Sequence, residues 1–318
     1  MCTVIPVFRI PGTQSKTSEY CNTVVGAEYC KDCGKAEARF YHCNNWDCPE
    51  CYFYTASRAA HRVESRLMGV QLAYANYGKH PGKIMHITFS VPESDYEGFG
   101  LDAYYKKCIK HADMIGVLGG AVVFHPYRIK SELRKPVYDA VKTLSLKGGL
   151  WSGIHSDVLH LGNWKEYVYF APHFHVLGYY PKIVMKSNVF HELTGWVYKA
   201  IGVSQQRNVY RTARYLLTHT AVPDGHKQAV HYFGIASNSK TSVESIKIKE
   251  FKKCPECGSE NYYLINCGEY RFNRFLEGLK PDDDELFVHV RFIKTVKKYS
   301  VKWKDAALST FCGGVPVP

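Results

Sequence analysis

Pro172-His173-Phe174-His175-Val176-Leu177-Gly178 sits in the middle of a run that opens with Tyr167-Val168-Tyr169-Phe170 and continues through Tyr179-Tyr180. Aromatic and β-branched residues at this density specify a strand. Side chains alternate along a strand, so His173 and His175 project to one side, about 7 Å apart, while Phe174 and Val176 point the other way into a core. Two imidazoles at i and i+2 can grip one metal ion if a third ligand comes from elsewhere. Two ordinary histidines on a solvated strand face would give the same pattern, so the rest of the chain has to decide.

A chain of 318 residues with 46% hydrophobic content can bury a substantial core, and its net charge of +12 favours a polyanionic partner, nucleic acid first. Twenty-four tyrosines and sixteen phenylalanines among many lysines and arginines suit base stacking as well as charge neutralisation. No apolar run approaches the roughly 18–20 residues of a membrane span, and Met1 to Ile10 lacks the basic start and apolar run of a signal peptide. The expectation is a cytoplasmic protein with no membrane partner.

Many of the twelve cysteines fall in Cys-x-x-Cys pairs, which in such a chain read as zinc ligands before disulfides. Cys30 and Cys33 form one knuckle and Cys48 and Cys51 a second. Two knuckles complete a tetrahedron around zinc, so these four are the expected structural site, with Cys43 and His42 as spare ligands. Cys254 and Cys257 form a further knuckle in a basic tail, a candidate second zinc site whose other pair is incomplete: Cys267 is single and Cys312 is distant.

In order, residues 1–29 are weakly patterned and read as an irregular arm. Residues 52–77 read as a helix with Arg58, Arg62 and Arg66 on one face, facing phosphate or solvent. Residues 82–92 read as a strand, 101–118 as a helix broken by Gly119-Gly120, and 121–128 as a second strand. Residues 131–165 form an insertion containing Trp151 and Trp164. After the His-x-His strand, 186–200 reads as helix, 202–209 as strand, 210–220 as helix and 230–236 as the last strand. The fold class is α+β, an antiparallel sheet with helices on one face. The domain boundaries expected are an N-terminal zinc-binding region at 1–78, a catalytic domain at 79–246, and a basic C-terminal region at 247–318 with a zinc ribbon.

Four segments, in order, resemble the HUH endonucleases that initiate rolling-circle replication of small plasmids and viruses. Ile87-Thr88-Phe89-Ser90-Val91-Pro92 resembles their first motif, and Pro172 to Leu177 their His-hydrophobic-His motif. Ala213-Arg214-Tyr215-Leu216-Leu217-Thr218-His219 resembles the helix that bears the nucleophilic tyrosine. Cys43 through Cys51 resembles the cysteine cluster ahead of the catalytic domain, and the last two segments together suggest the archaeal plasmid and virus branch. The resemblance implies a five-stranded antiparallel HUH sheet of the RRM or ferredoxin-like kind, with the histidines on a central strand. It implies nicking of single-stranded origin DNA, a 5′-phosphotyrosyl intermediate, a free 3′-hydroxyl primer, and rejoining. The implied partners are single-stranded DNA and hairpin origin DNA, with a host helicase or polymerase. The family pattern often has lysine before the tyrosine and three residues after it, where this chain has Arg214 and Thr218. A glutamate often lies four residues before it, where this chain has Arg211.

The chemistry needs charge stabilisation on the phosphate oxygens, which a divalent ion supplies, Mn²⁺ or Mg²⁺ here. For the third metal ligand His125 is the first choice: it follows Ala-Val-Val-Phe on a strand, where relatives place a carboxylate. His86 is second, and His155 and His160 lie in the insertion. For the nucleophile, helical periodicity gathers Ala213, Leu216, Leu217 and Thr220 on a buried face and puts Tyr210 at its edge. Tyr215 falls opposite, flanked by Arg211 and His219. A phenol of pKa near 10 needs neighbouring positive charge or metal, and Arg211, Arg214 and His219 offer it. No Gly-x-x-x-x-Gly-Lys-Ser/Thr is present, so ATP-driven unwinding is not expected of this chain. Two other readings fit the same residues: a transposase or relaxase of the same chemistry, and a zinc-stabilised nucleic-acid-binding regulator without catalysis.

Overall fold

The structure, a computed structural model, describes residues 7–13, 18–76, 78–98, 100–145, 150–155, 164–182, 184–202, 209–222, 228–251, 253–265, 290–291 and 293–303. In chain order its elements are β1 (Val24–Cys30), β2 (Ala36–Phe40), α1 (Tyr52–Asn76), β3 (Lys83–Ser90), α2 (Leu101–Met114) and β4 (Gly119–Ile129). There follow α3 (Arg134–Thr143), α4 (Leu150–His155), β5 (Val168–Tyr180), α5 (Ser187–Thr194), β6 (Val197–Gly202), α6 (Val209–Leu217) and β7 (His231–Gly234). The last strands are β8 (Thr241–Phe251), β9 (Tyr262–Ile265), β10 (Val290–Arg291) and β11 (Ile293–Trp303).

The central sheet runs β6-β3-β5-β4-β7 with every neighbouring pair antiparallel, as expected of an α+β fold with a five-stranded antiparallel sheet. The His-x-His strand, β5, is the middle one. Close packing of β4 on β5 depends on glycine: Gly120 lies opposite Gly178, and a Cβ on Gly120 would come within 2.2 Å of the Leu177 carbonyl oxygen.

Helices cover both faces of the sheet, not one. On the first face α1 and α6 pack together over Ile84, Ala121, Val123, Leu177 and Tyr179. The buried stripe of α1 is Ala56, Ala59, Ala60, Val63, Leu67 and Val70, the i, i+3, i+4, i+7 spacing of an amphipathic helix. On the second face α2 and α5 cover Ile87, Phe89, Val122, Phe124, Phe174 and Val176. Because α1 is built into this core, the expected boundary at residue 78 moves: the body begins with α1.

Other expectations are corrected. The helix expected over 186–200 is two elements, because Gly195 adopts φ +72° and its N–H bonds the His191 carbonyl at 2.8 Å, closing α5. The chain then turns into edge strand β6, so the strand expected at 202–209 lies earlier, and 203–208 fall outside the described residues. The N-terminal arm is ordered against the body in part: Phe8 packs edge-on to Phe124 at 5.2 Å, and β1 starts at Val24. The insertion carries helices α3 and α4 and a small core of Ile10, Ile129, Val137, Trp151, Ile154 and Val168.

A second sheet, β10-β9-β1-β2, joins the two ends of the chain, and β8 and β11 form an antiparallel ribbon from Thr241 opposite Trp303 to Phe251 opposite Ile293. Among the described residues no helix is long and apolar enough to cross a membrane.

Candidate metal centre and its surroundings

The antiparallel register brings the histidines together. His125 on β4 lies directly opposite His173 on β5, while Ser90 and Thr88 on β3 lie opposite His173 and His175. His125, His173 and His175 each offer a ligand nitrogen, and these atoms lie within 4.8 Å of one another. His125 is 1% exposed and His173 7%, so the site is roofed rather than open on a sheet face.

Hydrogen bonds fix which nitrogens are free. A carbonyl oxygen can only accept, so His125 donates from Nε2 to the Leu216 carbonyl at 2.8 Å and His173 donates from Nδ1 to the Ala171 carbonyl at 2.8 Å. The Nδ1 of His125 is then a buried lone pair with no hydrogen-bond partner among the described residues. His175 Nδ1 lies 2.7 Å from His86 Nε2 and 3.1 Å from Thr88 Oγ1. With the proton on His175 Nδ1, all three rings present a bare nitrogen inward and a held nitrogen outward, the arrangement that orients imidazole ligands. His86, second choice as a ligand, is therefore a support for His175.

Burial is the main cause that pushes these imidazoles down. His125 and His175 lie well below the ordinary value, helped by neighbouring histidines; His173 falls to about 3, helped by the charge of Arg128; His86 falls to about 4. Neutral rings are what a metal site requires. Three neutral nitrogen donors and a buried orphan lone pair are a donor set that could hold a divalent transition-metal ion.

Helix α6 closes this centre from above. Leu216 is in its last turn, where carbonyls lack partners within the helix, so the bond from His125 satisfies one of them. Just beyond the helix, Thr220 Oγ1 donates to the Phe124 carbonyl at 2.8 Å. The face expected to be buried is buried: Ala213, Leu216, Leu217 and Thr220. His219, 4% exposed, has its ring 4.1 Å from that of His125 and stacks on Trp151 of α4 at 4.9 Å. The half-buried Tyr215 meets His219 edge-on at 4.8 Å. The sequence pattern had no means of finding Trp151, because it comes from the insertion.

Tyr210 faces elsewhere and stacks on His61 of α1 at 4.0 Å. The Arg214 guanidinium, expected as positive charge beside Tyr215, lies over Phe53 and Tyr210 and joins α6 to α1. Arg66 is also redirected. Its expected companions Arg58 and Arg62 are exposed, but Arg66 is buried and donates to the carbonyls of Ala236 at 2.7 Å and Ser237 at 3.1 Å. His155 ends α4, and His160 lies outside the described residues.

The cysteines pair differently from their spacing. Cys30, Cys33, Cys48 and Cys51 are not one site. Cys48 and Cys51 group with Cys21 and Cys43, and Cys30 and Cys33 group with Cys254 and Cys257; each set could hold a metal such as zinc. Cys30 and Cys33 are at the tip of the β1–β2 hairpin, while Cys21 and Cys43 flank its base, so the hairpin length separates the two knuckles. At the tip, Cys30 Sγ is 3.6 Å from Cys257 Sγ and Cys33 Sγ is 3.6 Å from Cys254 Sγ. Zinc–sulfur bonds of about 2.3 Å in a tetrahedron require sulfur separations of about 3.8 Å. Desolvation opposes a thiolate at Cys254, but the N–H groups of Cys257 and Glu256 outweigh it and bring the thiol down to about 7. The tip is tied further by Lys35 to Glu256, Asp32 to Ser259, and Asn261 Nδ2 to Asp32 at 3.1 Å. His42, a spare ligand by sequence, stacks on Tyr54, and Cys267 lies outside the described residues.

No protein-family model, curated protein or solved structure matches this chain.

Proposed function

We propose that this protein is an HUH-type single-strand DNA endonuclease and ligase, acting as the initiator of rolling-circle replication for a small archaeal plasmid or virus. The observation that carries the reading is the continuous contact from the three-histidine centre through His219 to Tyr215. A buried metal site one ring away from a half-buried phenol favours catalysis over a non-catalytic binding module.

In this reading Tyr215 Oη attacks the phosphorus of a DNA phosphodiester. The new O–P bond forms as the P–O3′ bond breaks, the phenolic proton leaves, and the departing 3′ oxygen gains a proton. The products are a 5′-phosphotyrosyl link and a free 3′-hydroxyl. A divalent ion on His125, His173 and His175 would supply Lewis-acid stabilisation of the phosphate charge. His219, held between Trp151, Tyr215 and His125, packs edge-on against the phenol ring and is the imidazole this reading assigns to take its proton. The reverse attack by a 3′-hydroxyl on the phosphotyrosine rejoins DNA. The cysteine clusters, filled with zinc, hold the hairpin and the C-terminal knuckle as one module beside α1. The exposed rings of Tyr20, Phe40, Tyr41 and Tyr54 around its base suit stacking on single-stranded bases.

The test is to incubate the protein with labelled single-stranded oligonucleotide pools and Mn²⁺ and look for an SDS-resistant protein–DNA adduct. The reading expects a metal-dependent adduct. A salt-sensitive mobility shift with no adduct under any divalent ion would leave a binding regulator instead.

A further inference from the structure

Arg128 is not used by the reading above, yet it stands beside the metal centre. It follows the register shift between His125 and Tyr127 on β4 and pairs across the strand with Tyr169. Bulges of this kind re-aim side chains next to functional sites. Its Nη2 donates to Ser90 Oγ at 2.7 Å, and Ser90 is the direct cross-strand partner of His173. Arg128 is half-buried, and among the described residues no carboxylate is paired with it. One bond to a serine hydroxyl uses one of five N–H donors and neutralises none of the charge. A partly desolvated arginine without a carboxylate, next to a site built for a cation, is a fork waiting for an anion.

We infer that Arg128 is a phosphate-binding residue, taking a non-bridging oxygen of the same phosphate that meets the metal on His125, His173 and His175. The Ser90 bond sets the guanidinium plane, and the exposed ring of Tyr169 beside it offers a surface for the adjoining base. The inference rests on the proposed nuclease reading for its biological substrate, but the anion site itself is testable without cleavage.

The experiment uses the full chain loaded with Mn²⁺ and inorganic phosphate as the probe. Paramagnetic broadening of the phosphate ³¹P signal reports phosphate next to bound Mn²⁺, and a titration gives its dissociation constant. Charge-assisted hydrogen bonds are strong enough that Arg128→Ala should weaken phosphate by about tenfold or more. Arg128→Gln, which can still donate to Ser90, should lose as much, and Arg128→Lys should recover part. Mn²⁺ affinity should stay within about twofold in all three, since Arg128 is not a ligand. Wild-type phosphate affinity in Arg128→Ala or Arg128→Gln, no phosphate at the wild-type Mn²⁺ centre, or loss of Mn²⁺ in parallel with phosphate would each overturn the inference. Failure of the nuclease reading has a different signature: no covalent adduct from the wild-type protein, whatever Arg128 does to phosphate.

Discussion

His125 donates its Nε2 proton to the backbone carbonyl of Leu216, 2.8 Å away in the last turn of α6. One bond thus sets the free nitrogen of a metal ligand and the position of the helix that carries Tyr215. It also separates ligands from supports. His125→Ala or His173→Ala removes a donor and should cut Mn²⁺ affinity by about 100-fold or more, whereas His86→Ala, which only releases His175 Nδ1, should cost about 10-fold, as loss of an outer partner does. Calorimetric Mn²⁺ titration of the three variants checks the order. His86→Ala falling as far as His125→Ala would make His86 a ligand.

The nucleophile assignment separates two tyrosines on one helix. Tyr215 contacts the His219 ring, while Tyr210 is stacked on His61 of α1. Tyr215→Phe keeps the ring and its packing and removes only the hydroxyl. It should abolish the covalent adduct while leaving oligonucleotide affinity within about twofold, because binding is dominated by phosphate contacts spread over the surface. Tyr210→Phe should form adduct normally. Peptide mapping of the wild-type adduct decides directly, and DNA recovered on the Tyr210 peptide would refute the assignment.

Period-two and period-3.6 patterns were enough to read β3, β4, β5 and β7 of the central sheet, the placing of His173 and His175 on one face, and the buried face of α6, because each depends on neighbours within one element. His125 could be reached because it follows Ala-Val-Val-Phe on a strand, where the HUH initiators that the chain resembles place a carboxylate. What was not legible depends on long-range geometry. Gly195 was present as a helix stop, but an apolar stripe from Val189 to Ala200 ran through it and masked the turn into β6. Arg66 reads as one of three arginines on a solvated face until the chain after β7 supplies carbonyls for it. Arg128 carries no motif. Cys30 finds Cys257 across 227 residues, and the nearer knuckle at Cys48 was the natural but incorrect partner.

Arg66 gives a stability prediction. It is buried, bonds two carbonyls after β7 and has its guanidinium 4.5 Å from the Tyr232 ring. Arg66→Ala leaves Ala236 and Ser237 without those donors and should destabilise the fold by about 2–4 kcal/mol. Arg66→Lys should not restore it, since an ammonium cannot supply the planar fork. Arg62→Ala on the exposed side should stay within about 0.5 kcal/mol. Urea unfolding of the three variants measures this; equal effects of Arg66→Ala and Arg62→Ala would mean the Arg66 bonds contribute nothing net.

The cysteine pairing predicts a metal count that spacing alone would get wrong. Each four-sulfur cluster should carry one zinc, so native mass spectrometry of reduced, freshly purified protein should find two structural zinc ions per chain beside any ion on the histidines. Single substitutions do not discriminate well, because three thiolates often retain some metal. Double substitutions do. Cys30→Ser with Cys254→Ser strikes one cluster and should remove one zinc. Cys21→Ser with Cys48→Ser takes two sulfurs from the other cluster and should also remove one zinc, whereas a site built from Cys30, Cys33, Cys48 and Cys51 would lose a single sulfur to it and keep metal. The positional consequence differs too. The tip cluster ties the C-terminal knuckle to the hairpin with help from Lys35, Asp32 and Asn261, which are solvent-facing contacts worth little alone. Losing its zinc should expose the segment around Cys254 and Cys257 to limited proteolysis while Mn²⁺ binding at the histidines persists. Cys21→Ser with Cys48→Ser loosens the base of the hairpin at the start of α1, which packs on the sheet beside α6. That variant should therefore lower thermal stability of the whole body more than the tip variant does. If both double variants within single clusters lower stability equally, or if the tip variant leaves the C-terminal knuckle protected, the two clusters do not have these separate roles.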